Sequence, residues 1–221
     1  MIRHLDEELK DLHKDILKMG ALAQEAIFKS IEALKSRDRA QAESVISSDS
    51  KIDELELSID EKCVDLIARY QPMAGDLRFI TTGMKINAEL ERIADLAVDI
   101  AQRVLELVDK PLLKPLIDIP RLSAISQEMV KEAINSFIDK NVSLAKKVVD
   151  SDKEADMLRD RICDELINDY MKKDPSTADR AVPLLLIARH LERICDHTTN
   201  IAEDVAYMAE GRVIKHHHDE K

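Results

Sequence analysis

Leu90-Glu91-Arg92-Ile93-Ala94-Asp95 returns 101 positions later as Leu191-Glu192-Arg193-Ile194-Cys195-Asp196. Upstream of each copy a second phrase repeats: Asp49-x-x-x-Asp53 comes back as Asp152-x-x-x-Asp156, an offset of 103. Earlier still, Glu25-Ala26-Ile27 matches Glu132-Ala133-Ile134. Three matches in one order mark an internal duplication, and a fixed-period repeat decides architecture before any single helix is read. The drop in offset from 103 to 101 makes the connection after the second helix two residues longer in the first copy.

Each copy reads as helix, helix, proline turn, helix. Six amphipathic stretches run roughly over 3–36, 39–70, 73–109, 121–139, 142–172 and 176–210. Gln71-Pro72 and Asp174-Pro175 separate the second helix from the third in each copy, because proline disfavours the helical conformation in the residue before it. Lys110 to Pro120 holds three prolines in eleven residues and is the expected linker between copies. Gly211 supplies a helix stop. The expected organisation is a first repeat over 1–109, a linker over 110–120, a second repeat over 121–210 and a tail over 211–221. The fold class is all-α: two tandem three-helix bundles.

Composition agrees. With 4 Gly and 6 Pro in 221 residues there is little turn chemistry for a β-rich chain. At 3% aromatic residues, Leu, Ile, Ala and Val must fill the core. A net charge of −11, from 44 acids against 33 bases, argues against nucleic acid, which needs a dense Lys/Arg face. The same balance disfavours anionic lipid and favours cations or a basic protein patch. Cys63, Cys163 and Cys195 are isolated and odd in number, which suits a reducing compartment. The first residues lack the apolar core of a signal peptide. The longest apolar run, Ala181 to Ala188, is eight residues, far below the roughly 20 needed to cross a bilayer. A cytosolic chain without membrane insertion is expected.

Within helix three the apolar positions Ile86, Leu90, Ile93, Ala97, Ile100, Val104 and Leu107 alternate in steps of 4 and 3, a bundle-facing seam. Helix six repeats it with Ile187, Leu191, Ile194, Thr198, Ile201, Val205 and Met208. Glu91, Asp95 and Asp99, and in the second copy Glu192, Asp196 and Asn200, fall off that seam as an acidic stripe. The plain reading of one such stripe is a solvated face. Two features argue for more. Like charges four apart on a helix are mildly destabilising, yet both copies keep the pair. Hairpin geometry also brings a second pair alongside. Asp53 with Glu91 and Asp49 with Asp95 are symmetric about Pro72; Asp156 with Glu192 and Asp152 with Asp196 are symmetric about position 174. Four carboxylates with no lysine at those positions would repel unless a cation stood among them. An all-oxygen set suits magnesium, calcium, manganese or iron better than zinc, which prefers Cys and His but also takes carboxylates.

Enzyme chemistry finds little support. A ferritin-like oxidase or metal store is the natural alternative, but it needs Glu-x-x-His pairs facing a bundle core, and no Glu here has His three residues on. No phosphate-cradling glycine loop and no glycine-rich nucleophile turn is present. His190 and His197 flank the acids and could join a site. His216-His217-His218 could take up metal adventitiously. A scaffold with solvated acids and no metal is a third reading.

The repeated Glu91-x-x-x-Asp95 and Glu192-x-x-x-Asp196 motifs, together with the turn Tyr70-Gln71-Pro72-Met73-Ala74-Gly75-Asp76-Leu77-Arg78, resemble the signatures of the PhoU family, over essentially the whole chain. The resemblance implies two three-helix bundles with multinuclear metal clusters on the signature acids, iron in some members. It also implies a homodimer. It further implies a cytoplasmic, non-enzymatic negative regulator of phosphate uptake, linking the high-affinity phosphate ABC transporter and its ATPase to a sensor histidine kinase. Asn200 departs from the pattern, supplying a carbonyl where the first copy has the Asp99 charge.

Overall fold

Asp38 and Asn141 stand 103 residues apart, and each starts a helix in the same way. The Asp38 carboxylate accepts a hydrogen bond from the Gln41 N–H at 3.1 Å, and the Asn141 side-chain oxygen accepts one from the Leu144 N–H at 3.1 Å. Each satisfies a helix N–H that has no partner inside the helix. Just before them Arg37 (φ 58°) and Lys140 (φ 49°) take the left-handed conformation that turns the chain out of the preceding helix. The duplication is thus legible in the backbone as well as in the letters.

The computed structural model describes residues 4–210. It contains α1 (His4–Ser36), α2 (Arg39–Ser48), α3 (Ser50–Tyr70), α4 (Ala74–Leu107), α5 (Asp118–Asp139), α6 (Val142–Glu165) and α7 (Ala178–Glu210), and among the described residues no strand. The expected second helix is α2 and α3 together, since Asp49 between them keeps helical dihedrals (φ −59°, ψ −43°). Past α6 the chain makes a π turn over Leu166–Met171, then a 3₁₀ turn over Pro175–Thr177 that leads into α7. The expected Gly211 stop and the tail, with its three histidines, lie outside the described residues.

The irregular connection runs from 108 to 117, slightly earlier than expected, because Pro120 sits inside the first turn of α5. A first-turn proline loses no helical hydrogen bond. Three basic side chains strap this segment down. Arg37 Nη2 donates to the carbonyls of Leu107, Val108 (2.7 Å) and Lys110, capping the end of α4. Lys114 pairs with Glu165. Lys110 Nζ donates to the Asp179 carbonyl at 2.9 Å. That last carbonyl is the one Pro183, inside α7 and without an N–H, leaves unpaired one turn on.

Both predicted seams are buried along their full length, from Ile86 to Leu107 and from Ile187 to Met208, Thr198 included. The structure adds a second buried flank, with Ala94, Leu96 and Ala101 on α4 and Ala202 and Ala206 on α7. These two helices are each other's main packing partner, so each is buried toward its own bundle and toward the other repeat. The repeats also meet where α1 crosses α5, and the rings of Phe79 and Phe137 stack across the junction 5.1 Å apart. One continuous buried cluster spans both repeats.

Candidate metal centre

The acids named from the sequence lie on the paired helices of each hairpin. In the first repeat Asp49 sits at the junction of α2 and α3, α3 carries Asp53, and α4 carries Glu91 and Asp95. Glu91 and Asp49 are half-buried, while Asp53 and Asp95 are exposed. The carboxylates sense each other as the hairpin symmetry requires. Burial pushes the Asp49 carboxyl above its ordinary value, and the charges of Asp53 and Asp95 push it further. Burial raises Glu91 as well, reinforced by Asp95, Glu56 and Asp53. Asp95 is raised by burial and by Asp53 and Asp99.

In the second repeat α6 carries Asp152 and Asp156, and α7 carries Glu192 and Asp196. Burial together with Asp156, Asp196 and Glu192 pushes Asp152 up to about 6. Glu192 and Asp196 are also raised, burial being the larger cause in each. No lysine stands at the four matched positions, but an arginine on the next turn reaches the acids. Arg159 Nη2 lies 3.1 Å from Asp156 Oδ1 and 3.1 Å from Glu192 Oε1, a guanidinium bridging both helices. It lies one turn beyond Asp156 on the same helix, where the face that carries the acids continues.

Asp99 and Asn200 go elsewhere. Asp99 lies 3.8 Å from His190, and the Asn200 amide donates to Glu89 at 3.3 Å. Glu89 also takes a 2.7 Å hydrogen bond from His197 Nδ1. These contacts join α4 to α7, so the third stripe position faces the seam between repeats in both copies. Glu89 and the Lys85–Asp204 ion pair at 3.2 Å, with Asp204 buried, belong to that seam and were not singled out by spacing.

Do these residues fit a cation? Among the described residues no three His, Cys, Asp or Glu side chains stand together at the spacing of one ion's ligands, so an ion would have to draw them inward by side-chain rotation. Two atoms favour it. Asp49 Oδ1 and Asp152 Oδ1, equivalent in the two repeats, are each buried without a hydrogen-bond partner. An unpaired buried carboxylate oxygen is costly, and its occurrence at the same place twice fits a positive ligand. The donor set is all oxygen, as hard divalent cations require.

Fold and site together define a class: a duplicated helical-hairpin protein presenting one carboxylate cluster per repeat. A PhoU domain model matches residues 16–104 and again 119–205, and the chain belongs to the PhoU family. It is 44% identical over 214 residues, 97% of this chain and 96% of the relative, to a phosphate-specific transport system accessory protein PhoU homolog of Aquifex aeolicus. The crystal structure of PhoU from Pseudomonas aeruginosa superposes with a TM-score of 0.90 at 34% identity, covering 95% of this chain and all of that one. That of the phosphate transport system regulatory protein PhoU from Streptococcus pneumoniae gives 0.88 at 29% identity, over 96% and 99% of the two chains. Among the described residues no helix is long and apolar enough to cross a membrane.

Proposed function

We propose that this chain is a cytoplasmic, non-catalytic regulator of phosphate transport. In this role it holds down phosphate uptake by coupling a phosphate ABC transporter, through its ATPase, to a sensor histidine kinase. The observation that carries this reading is the end-to-end match to phosphate-specific transport accessory proteins, nearly complete in both chains. The surface suits an adaptor: long helices with exposed acids. In a strain lacking this protein, phosphate-uptake genes should stay expressed in phosphate-rich medium, and the wild-type chain should restore repression. Normal repression in the deletion strain, with no second copy of the family present, would refute the assignment.

The same reading gives the acid clusters a metal-binding role. Asp49, Asp53, Glu91 and Asp95 would hold one centre, and Asp152, Asp156, Glu192 and Asp196 the other, with iron, manganese, magnesium or zinc as the candidate ions. A bound cation neutralises the repulsion and pairs the two buried oxygens. It would thereby fix the hairpins' outer faces, where a partner would dock, and a homodimer would present four centres. Elemental analysis of protein purified without added metal tests this. Loss of metal in a variant carrying Asp95→Asn and Asp196→Asn is the expected result, and unchanged metal content sinks it.

A further inference from the structure

Of the large apolar side chains that the described residues expose, two of the three most exposed meet in one place. Ile117, at the end of the connection between repeats, is 71% exposed, and Met157 on α6 is 75% exposed. Both line a groove of about 860 Å³ between that connection and the flank of α6. From Met157 to Asn168 it follows the helix for about 16 Å, roughly three turns. Five carboxylates and two basic groups complete the lining, and both bases are engaged within its walls: Lys114 pairs with Glu165, and Arg161 lies 3.7 Å from Asp118. Asp160, Asp164 and Asp169 are left exposed. Asp160 meets Arg159 at 3.0 Å and Asp169 meets Lys173 at 2.7 Å, exposed pairs of a kind worth little and readily exchanged for another cation. Asp164 makes no ion pair among the described residues.

The duplication does not require this groove. The offsets that relate the repeats, 107 for the first helix and 103 for the second, set Lys10 against Ile117 and Glu54 against Met157. Both first-repeat residues are charged and exposed, as on a solvated helix face. There α1 simply continues as helix, whereas in the second repeat the connection supplies a wall beside α6. We propose that the groove docks a basic amphipathic helix of a partner protein. Its apolar face lies on Pro115, Ile117 and Met157, and its Lys/Arg flanks turn toward Asp160, Asp164 and Asp169. An acidic rim around an apolar strip complements that helix and repels nucleic acid and anionic lipid. A helix also satisfies its own backbone, and a groove walled by side chains offers no sheet edge to an extended peptide. Methionine suits such a contact, because its unbranched thioether repacks against varied side chains. The Lys114–Glu165 and Arg161–Asp118 pairs hold the walls in place beforehand, so little ordering is needed on binding. None of the eight acids assigned to the metal centres lines the groove. The proposal rests on the adaptor reading, to which it adds a partner face and its chemistry, and it does not depend on metal.

The test is fluorescence anisotropy on the full chain with a fluorescein-labelled peptide of about 14 Leu and Lys residues, spaced to put Leu on one helical face. A peptide of the same composition in scrambled order is the control, since a chain of net charge −11 attracts any polycation. The ordered peptide should bind about tenfold tighter than the scrambled one. Ile117→Ser with Met157→Ser should weaken the ordered peptide about tenfold, the loss expected from removing two apolar contacts. Asp164→Lys should weaken it too. Glu61→Lys, at the matching position of the first repeat and with the same change in charge, should leave binding as it was. All four positions are exposed, so the variants should fold, which circular dichroism checks. Unchanged binding in the Ile117/Met157 variant, equal binding of the two peptides, or equal weakening by Asp164→Lys and Glu61→Lys would reduce the contact to bulk charge and overturn the groove. Loss of self-association in the Ile117/Met157 variant, read by sedimentation, would overturn it as well, by giving this face to a second copy of the chain. Each of these failures leaves the phosphate-regulatory reading standing, because that reading is judged by the deletion strain.

Discussion

Asp152 shows how much a single residue's surroundings matter. Its carboxyl is pushed up to about 6 because burial and three neighbouring acids oppose its charge, and one of its oxygens has no partner. In chelator, Asp152→Asn should therefore be more stable than the wild type, by about 1 kcal/mol once the partial exposure of the site is discounted. Urea unfolding of both proteins in chelator checks the sign, and a variant less stable than wild type would mean the charge is not strained. Residue surroundings also sort the three thiols. Cys63 is buried with its thiol pushed to about 12, and Cys195 is buried and raised as well. Burial raises the Cys163 thiol too, but Cys163 is only half-buried, so a reagent can reach it. Since the thiolate is the reactive form, a chromogenic disulfide reagent should titrate one thiol in the native protein and three in denaturant.

At the scale of the element, the connection after α4 is held by side chains whose role depends on backbone carbonyls left open by helix ends. Arg37 closes three of them. Arg37→Met keeps the aliphatic stem but removes the donors, and should destabilise the chain by about 1–3 kcal/mol. The loss should appear as faster amide hydrogen exchange at the end of α4 and in residues 108–110 before the rest of the molecule. Uniform exchange would mean the cap is not what holds the segment. The helix caps make a matched pair. Asp38→Ala and Asn141→Ala should each lower stability by about 1 kcal/mol, and near-equal losses would show that the duplicated device does the same work in both repeats.

For the whole molecule, the decisive fact is that α4 and α7 pack on each other and that one buried cluster spans both repeats. Unfolding should then be a single cooperative transition, with calorimetric and van't Hoff enthalpies in agreement. Two separated transitions would show that the repeats behave as independent domains. Gly20 marks how closely the repeats approach: a Cβ there would run into the Ile134 side chain on α5. Alanine is the better helix former by about 1 kcal/mol. Overpacking a buried crossing costs about 1–3 kcal/mol, so Gly20→Ala should still be destabilising in thermal melts.

The sequence by itself determined the helices, the duplication and the pairing of acids across each hairpin. All of these follow from local periodicity and from the symmetry that a short turn imposes on two antiparallel helices. Ile86 to Leu107 and Ile187 to Met208 face inward as their spacing required. Only the tertiary structure decided where the third stripe position goes. Asp99 and Asn200 meet His190 and Glu89 because the repeats dock through α4 and α7. No pattern within one helix records which of its flanks a distant helix will cover. The same holds for Arg159. On its own helix it pairs with Asp156 and Asp160, and it links the two helices only because α7 brings Glu192 to 3.1 Å from its guanidinium.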